Sequence, residues 1–264
     1  MDCNSSDRAA LLKIKEQLGN RPELSSWLPA TNCCAWDNSI ICSETGRIYL
    51  VALFQLNITV PIPSAYGPIP DFLATTNLSA LTITNSKLTG PIPQSLSRLS
   101  NLRYIDLSGN MLSGSIPPGL LHGSFQFLIL SNNRLTGQIP VDYAHGDIDT
   151  IDLSHNQLTG DTLFLFDIAK PMTKIDLSWN ELAFDMTKVR LPYHLTYLDL
   201  SHNHIKGGVS KSLKDIKLRY FNVSYNDLCG EIPTGRFMIY HGADSYVHNK
   251  CLSGTPLPPC KKWQ

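Results

Sequence analysis

From Leu102 to Pro117 the chain reads LRYIDLSGNMLSGSIP, and the same spacing of residue types keeps returning along the sequence. With Asn110 as the reference position, the copies fall at Leu56, Ser86, Asn110, Asn133, Asn156, Asn180, Asn203 and Asn226. Their spacings are 30, 24, 23, 23, 24, 23 and 23 residues. A single copy has too few apolar residues to bury a core, so the copies must stack and share one.

The pattern L-x-x-L-x-L-x-x-N at this period is the signature of the leucine-rich repeat, in which each coil contributes one short strand to a parallel sheet. The sequence therefore predicts an α/β leucine-rich repeat solenoid of about eight coils with a parallel concave β-sheet. The Asn is expected to turn the chain out of each strand and to hydrogen-bond backbone groups that the turn leaves unpaired. A Gly-x-Ile-Pro tail follows at Gly90–Pro93, Gly114–Pro117, Gly137–Pro140 and Gly230–Pro233 and suits an extended segment on the convex side, because proline donates no ladder hydrogen bond. It fails after Asn180, where Phe184 takes the glycine position. The expected organisation is an N-terminal helical disulfide cap over 1–46, repeats over 47–234 and a C-terminal cysteine cap over 235–264.

The chain has 264 residues, with 22 Lys plus Arg against 22 Asp plus Glu. A formal charge of zero gives no basic field for nucleic acid or an anionic membrane. No apolar run approaches the ~20 residues that span a bilayer. Met1 precedes Asp2-Cys3 directly, and with cysteines placed as if oxidised this reads as a start codon before a mature secreted sequence.

Leu11, Leu12, Ile14 and Leu18 share one helical face after the capping run Ser5-Ser6-Asp7, which predicts a helix over 7–18 that covers the first coil. Trp27 and Trp36 flank Cys33-Cys34, and with Cys3 and Cys42 they form a four-cysteine cap. A bridge between adjacent Cys33 and Cys34 would be strained, which leaves two connectivities. Residues 47–77 are irregular. Leu56 holds the Asn position there, yet Gly67-Pro68-Ile69-Pro70 also lies one period before Gly90-Pro91-Ile92-Pro93, as if a repeat were partly deleted. After Gly230 the pattern stops, and seven cysteines leave at least one thiol over.

Reading each repeat as a strand sorts its side chains into columns about 4.8 Å apart. One outward column is Ala52, Thr82, Asp106, Ile129, Asp152, Asp176, Asp199 and Asn222. Its three adjacent carboxylates predict at least one raised pKa and attraction for a basic partner surface, set against the plainer expectation that these aspartates bond to neighbouring hydroxyls. A second column, Ser108, Ser131, Ser154, Ser178, Ser201 and Ser224, is small and polar. The third, Gln55, Asn85, Gly109, Asn132, His155, Trp179, His202 and Tyr225, varies from coil to coil as a recognition column should. Tyr197 and Tyr220 extend an aromatic and acidic patch over the C-terminal half. The candidate partner-binding set is Asp106, Asp152, His155, Asp176, Ser178, Trp179, Tyr197, Asp199, His202, Tyr220 and Tyr225. No catalytic residue, metal ligand or cofactor is expected. His155 and His202 are two strands apart, roughly 9 to 10 Å, no metal, nucleophile or phosphate motif occurs, and an open sheet gives no water-excluding cleft. Glycosylation sequons begin at Asn4, Asn57, Asn77 and Asn222, the last expected to be unoccupied or marginal because it shares the candidate face.

SSDRAALLKIKEQL, CCAWDNSIIC, the LxGxIP coils, YFNVSYNDLCGEIPTG and HNKCLSGTPLPPC together resemble plant extracellular leucine-rich repeat proteins, and most of all the polygalacturonase-inhibiting proteins, over essentially the whole chain. Carrot-type leucine-rich repeat antifreeze proteins are similar on the same scaffold. The resemblance implies Cys3–Cys33, Cys34–Cys42 and Cys229–Cys251 disulfides. It also implies that Cys260 is unpaired, since Cys251-Leu252-Ser253-Gly254 stands where the family has CLCG. It further implies a secreted monomer of the plant apoplast or cell wall that occludes a fungal or other pathogen polygalacturonase in plant defence, with pectin or an oligogalacturonide as a further ligand. Ice binding, or ligand sensing beside a receptor kinase, are the alternatives that the scaffold allows. The family has ten repeats and is often basic; this chain has eight by count and is neutral.

Overall fold

A computed structural model describes residues 2–17, 20, 22–37, 39–54 and 78–259. Leu18, Gln55, Leu56, the sequons at Asn57 and Asn77, the competing registers of 55–77 and Cys260 lie outside them. The chain divides into two compact units, Met1–Leu135 and Thr136–Gln264.

In the first unit the helix Ser5–Gln17 begins two residues before the expected start. Asn4 caps it: its backbone carbonyl accepts from Arg8 N at 3.0 Å and its Oδ1 from Ser6 N at 3.0 Å. Asp7 is free for another task. It is fully buried and receives Arg47 Nε and Nη2 at 3.0 and 3.1 Å and the backbone N–H of Ile48 at 2.9 Å, which pins the helix to the strand Ile48–Phe54. Trp27 and Trp36 stack at 5.4 Å within the cap. Cys3–Cys33 and Cys34–Cys42 are bonded as the family resemblance implied.

Ile40–Cys42 pairs antiparallel with Ile48–Phe54, after which Ala80–Thr84, Tyr104–Asp106 and Ser124–Ile129 add in parallel. Ala52 lies opposite Thr82, and Thr82 opposite Asp106, so the 30-residue spacing still joins neighbouring strands. In the second unit Asp147–Asp152, Lys174–Asp176, Tyr197–Asp199 and Tyr220–Asn222 form the same parallel arrangement. Leu153, Ile175, Leu177, Leu198 and Leu200 are wholly buried between coils, each worth about 1.5–3 kcal/mol of apolar transfer.

The segment after each Asn is more ordered than its sequence suggested. The residues after the Asn turn form additional parallel strands, Thr89–Gly90 with Met111–Gly114 in the first unit and Gln157–Gly160 with Glu181–Leu182 in the second. Proline still lies outside the ladder, as expected of a residue with no N–H. Where Phe184 replaces glycine, its buried ring packs on Phe166 at 5.9 Å, and regular pairing gives way to one bridge between Asp185 and Lys206. Pairing resumes through Lys206–Gly207, Asp227–Glu231 and Cys251–Ser253, with Cys229 bonded to Cys251.

The asparagines tie successive coils together. Asn203 Nδ2 donates to Leu177 O and Leu200 O at 3.0 and 3.2 Å, and its Oδ1 accepts from Leu182 N at 2.9 Å. Asn110, Asn180 and Asn226 repeat this network. So does Asn249, which accepts from Leu228 N at 3.0 Å and donates to Val223 O at 2.9 Å. The repeat geometry therefore continues past Gly230, where the sequence pattern was expected to stop. Asn203→Ala leaves a buried donor and several carbonyls without partners; at about 1–3 kcal/mol per unsatisfied group, chemical denaturation should show a loss of about 2–4 kcal/mol.

Candidate functional site

The Asn turn sets the backbone of the residue before it. At that position φ is 50° for Asn85 and 55° for Asn132, and Gly109 has φ 67°. These first-unit residues adopt the left-handed conformation at little cost. In the second unit the same position carries His155, Trp179, His202 and Tyr225, at φ 53–55°. His248, before Asn249, has φ 55° and joins them. For such side chains the left-handed region costs roughly 1–2 kcal/mol each, so these rings stand where the fold alone favours Asn or Gly.

The five rings stack into one ladder. Centroids are separated by 5.3 Å between His155 and Trp179, 3.6 Å between Trp179 and His202, 4.0 Å between His202 and Tyr225 and 4.1 Å between Tyr225 and His248, with planes within 19° of parallel. Each contact returns about 0.5–1.5 kcal/mol, which offsets part of the backbone cost. Ring faces cover one another and ring edges face solvent; Trp179 is 49% and Tyr225 44% exposed. Sequence reasoning missed His248 because SYVHNKCLSG lacks the flanking leucines. The available signal was Asn249, 23 residues after Asn226.

A second row runs along the other margin of these strands. Lys174, Tyr197 and Tyr220 are register partners; the tyrosine rings stack at 4.5 Å and Lys174 Nζ lies 5.0 Å from the Tyr197 ring centre. Sequence reasoning also passed over Lys174, since no repeat pattern marks a lysine in that column.

Between the rows, Asp152, Asp176 and Asp199 align as expected, but not as an open acidic stripe. Asp176 and Asp199 are 7% exposed and Ser178 is 5% exposed. Asp176 Oδ1 accepts from Ser178 N and Oγ at 3.2 and 2.8 Å, and its Oδ2 from Tyr197 OH at 3.2 Å. Asp199 is held likewise by Ser201 and by Tyr220 OH at 3.1 Å. Asp152 is ion-paired with Lys174 Nζ at 2.8 Å. The tyrosines lean over the carboxylates and convert the stripe into a satisfied floor, so the plainer expectation for these aspartates describes their contacts. Asp106, in the first unit, is similarly taken by Ser108 N and Oγ. Asn222 Oδ1 accepts from Ser224 N at 3.0 Å.

Burial, and then the charge of Asp152, raises the Asp176 pKa; its Ser178 hydrogen bonds oppose the shift and Asp199 adds to it. A raised carboxyl pKa means that the folded state holds this proton longer than the unfolded chain does. Ionised Asp176 thus costs stability, absent below the ordinary aspartate value and complete once pH exceeds the raised folded value. Asp176→Asn should therefore match the parent near pH 3.5 and gain melting temperature relative to it as pH rises to 7, measured by thermal circular dichroism.

Residues 4–43 match the family profile of the leucine rich repeat N-terminal domain, and residues 101–122 and 124–145 match the Leucine Rich Repeat. Polygalacturonase inhibitor 1 of Oryza sativa subsp. japonica is 43% identical over 98% of this chain and 91% of its own length. Polygalacturonase inhibitor 1 of Arabidopsis thaliana is 38% identical over 98% and 93%. The rice alignment spans 309 positions while covering 98% of the 264 residues here, so the relative is longer by about two repeat lengths. The crystal structure of a plant ice-binding protein matches with a TM-score of 0.68 at 33% identity, covering 100% of both chains. With the repeat, both cap sequences and relatives of this identity along nearly all of its length, the chain belongs to the polygalacturonase inhibitor family of leucine-rich repeat proteins.

Proposed function

We propose that the protein is a secreted, monomeric inhibitor of a pathogen polygalacturonase in the plant cell wall, acting by occlusion and not by catalysis. Family membership supports the target. The surface is supported by one observation: rings occupy five left-handed positions in the second unit, where Asn or Gly serves the fold in the first. Aromatic side chains on a rigid sheet supply contact area with little entropy left to lose, which suits them to be binding anchors. Trp179, Tyr225 and Tyr220 are exposed aromatic residues on this face, and His155, His202, His248 and Tyr197 complete it. Asp176 and Asp199 hold Tyr197 and Tyr220 from beneath, Ser178 bonds Asp176, and Asp152 holds Lys174. Among the described residues no helix is long and apolar enough to cross a membrane. Pectin or an oligogalacturonide is a further ligand to test in competition.

Similarity to a plant ice-binding protein over both complete chains favours a second role, ice binding, on the same scaffold. Thermal hysteresis in the absence of any enzyme separates it from inhibition.

The direct test is a titration of the protein against polygalacturonases from several fungi at mildly acidic pH. Saturable inhibition of any one supports the inhibitor role and shows that this repeat number suffices; no binding to any removes it. For an inhibited enzyme, Trp179→Asn with Tyr225→Asn should weaken inhibition at least tenfold. Because Asn suits the left-handed backbone, the double variant should stay within about 1 kcal/mol of the parent in stability. Unchanged inhibition would remove the ladder from the interface.

A further inference from the structure

Three of the five ladder rings are imidazoles, and they alternate with the other two. His202 is sandwiched between Trp179 at 3.6 Å and Tyr225 at 4.0 Å, while His155 and His248 are exposed at the two ends. Among the described residues no side-chain hydrogen bond engages the ring nitrogens or the hydroxyl of these five residues. Their polar edges are open valences along one line.

The chemistry of that line depends on its protons. A neutral imidazole has one donor and one acceptor; an imidazolium has two donors, the indole N–H is a donor only, and the phenol can donate. With the three imidazoles protonated, the row becomes cationic and almost wholly donating. Carboxylates are the matching acceptors, and hydrogen bonds between charged partners are about twice as strong as neutral ones. The aromatic faces on both sides of His202 also favour its cationic form. The floor does not oppose an acidic visitor strongly, because Asp152 is paired with Lys174 and Asp176 and Asp199 are capped by tyrosine hydroxyls.

We propose that the ring ladder is a proton-linked docking surface for a carboxylate-rich patch on the enzyme partner, tightening as His155, His202 and His248 take up protons. This rests on the inhibitor role proposed above and specifies the partner surface that it engages. The groups facing His202 are Asp199 in its own coil, which favours its charge, and His155 and His248 along the ladder, which disfavour it. Burial is the largest influence, and the free protein holds His202 below the ordinary imidazole value. A carboxylate set against the row raises the affinity of these rings for protons, so binding takes up protons. Affinity then rises as pH falls through the imidazole range, by up to tenfold per pH unit for each proton taken up.

The test measures affinity of the full chain for an inhibited polygalacturonase by calorimetry between pH 7.5 and 5.0, in two buffers of different ionisation heat. The parent should bind at least tenfold tighter at pH 5.0 and take up protons. His155→Asn, His202→Asn and His248→Asn combined keep a residue suited to left-handed backbone and should change less than twofold over the same range. Equal pH slopes in parent and triple variant would overturn the proposal while leaving inhibition itself intact. If no enzyme binds at any pH, the inhibitor role falls, and a ten-residue aspartate peptide at pH 5.5 decides the ladder's chemistry. Displaced imidazole ring signals in nuclear magnetic resonance, with titration midpoints raised by half a unit or more, support a carboxylate site, and unmoved signals overturn it.

Discussion

The buried asparagine amide is the interaction on which the structure depends. One side chain satisfies a backbone N–H of the preceding coil and carbonyls of two coils, as Asn203 does for Leu182, Leu177 and Leu200. Apolar stacking drives the coils together but does not fix their register, since a leucine contact tolerates sliding. A buried amide with directional partners does not. The period of 23 to 24 residues is thus the chain length that returns an amide to the same backbone groups.

That constraint also creates the candidate site. Leaving the strand through the Asn turn forces the preceding residue into left-handed backbone, and in the second unit this position carries a ring in one coil after another. Cost and benefit come from neighbouring atoms. Each ring is disfavoured by its own backbone and favoured by the ring stacked on it, so the ladder is worth more as a set than as separate residues. A single ring at position 109, between Asn85 and Asn132 in the column, would bear the backbone cost with no stacking partner.

The carboxylate floor obeys the opposite logic. Three aspartates on adjacent strands repel one another, and the structure answers with a lysine on Asp152, tyrosine hydroxyls on Asp176 and Asp199, and a serine turn beneath each. These bonds hold Tyr197 and Tyr220 down over the floor. The acids position the rings above them.

Much of this was legible in the sequence. The repeat period alone determined the parallel strands and the inward leucines. It also placed Asp152, Asp176 and Asp199 in one column and His155, Trp179, His202 and Tyr225 in another, because strand geometry allows only two faces and a fixed rise. Local sequence could not tell that Asp176 is buried, since the hydroxyl set against it comes from Tyr197, a full coil away. It could not bring Lys174 onto Asp152, nor reveal His248 as a fifth ring, because the leucines that would mark its coil are absent and only the Asn249 contacts to Leu228 and Val223 identify it. Sequence determined the faces, which follow from backbone periodicity within one coil. Tertiary structure decided exposure, charge pairing and ring stacking, which exist only between coils.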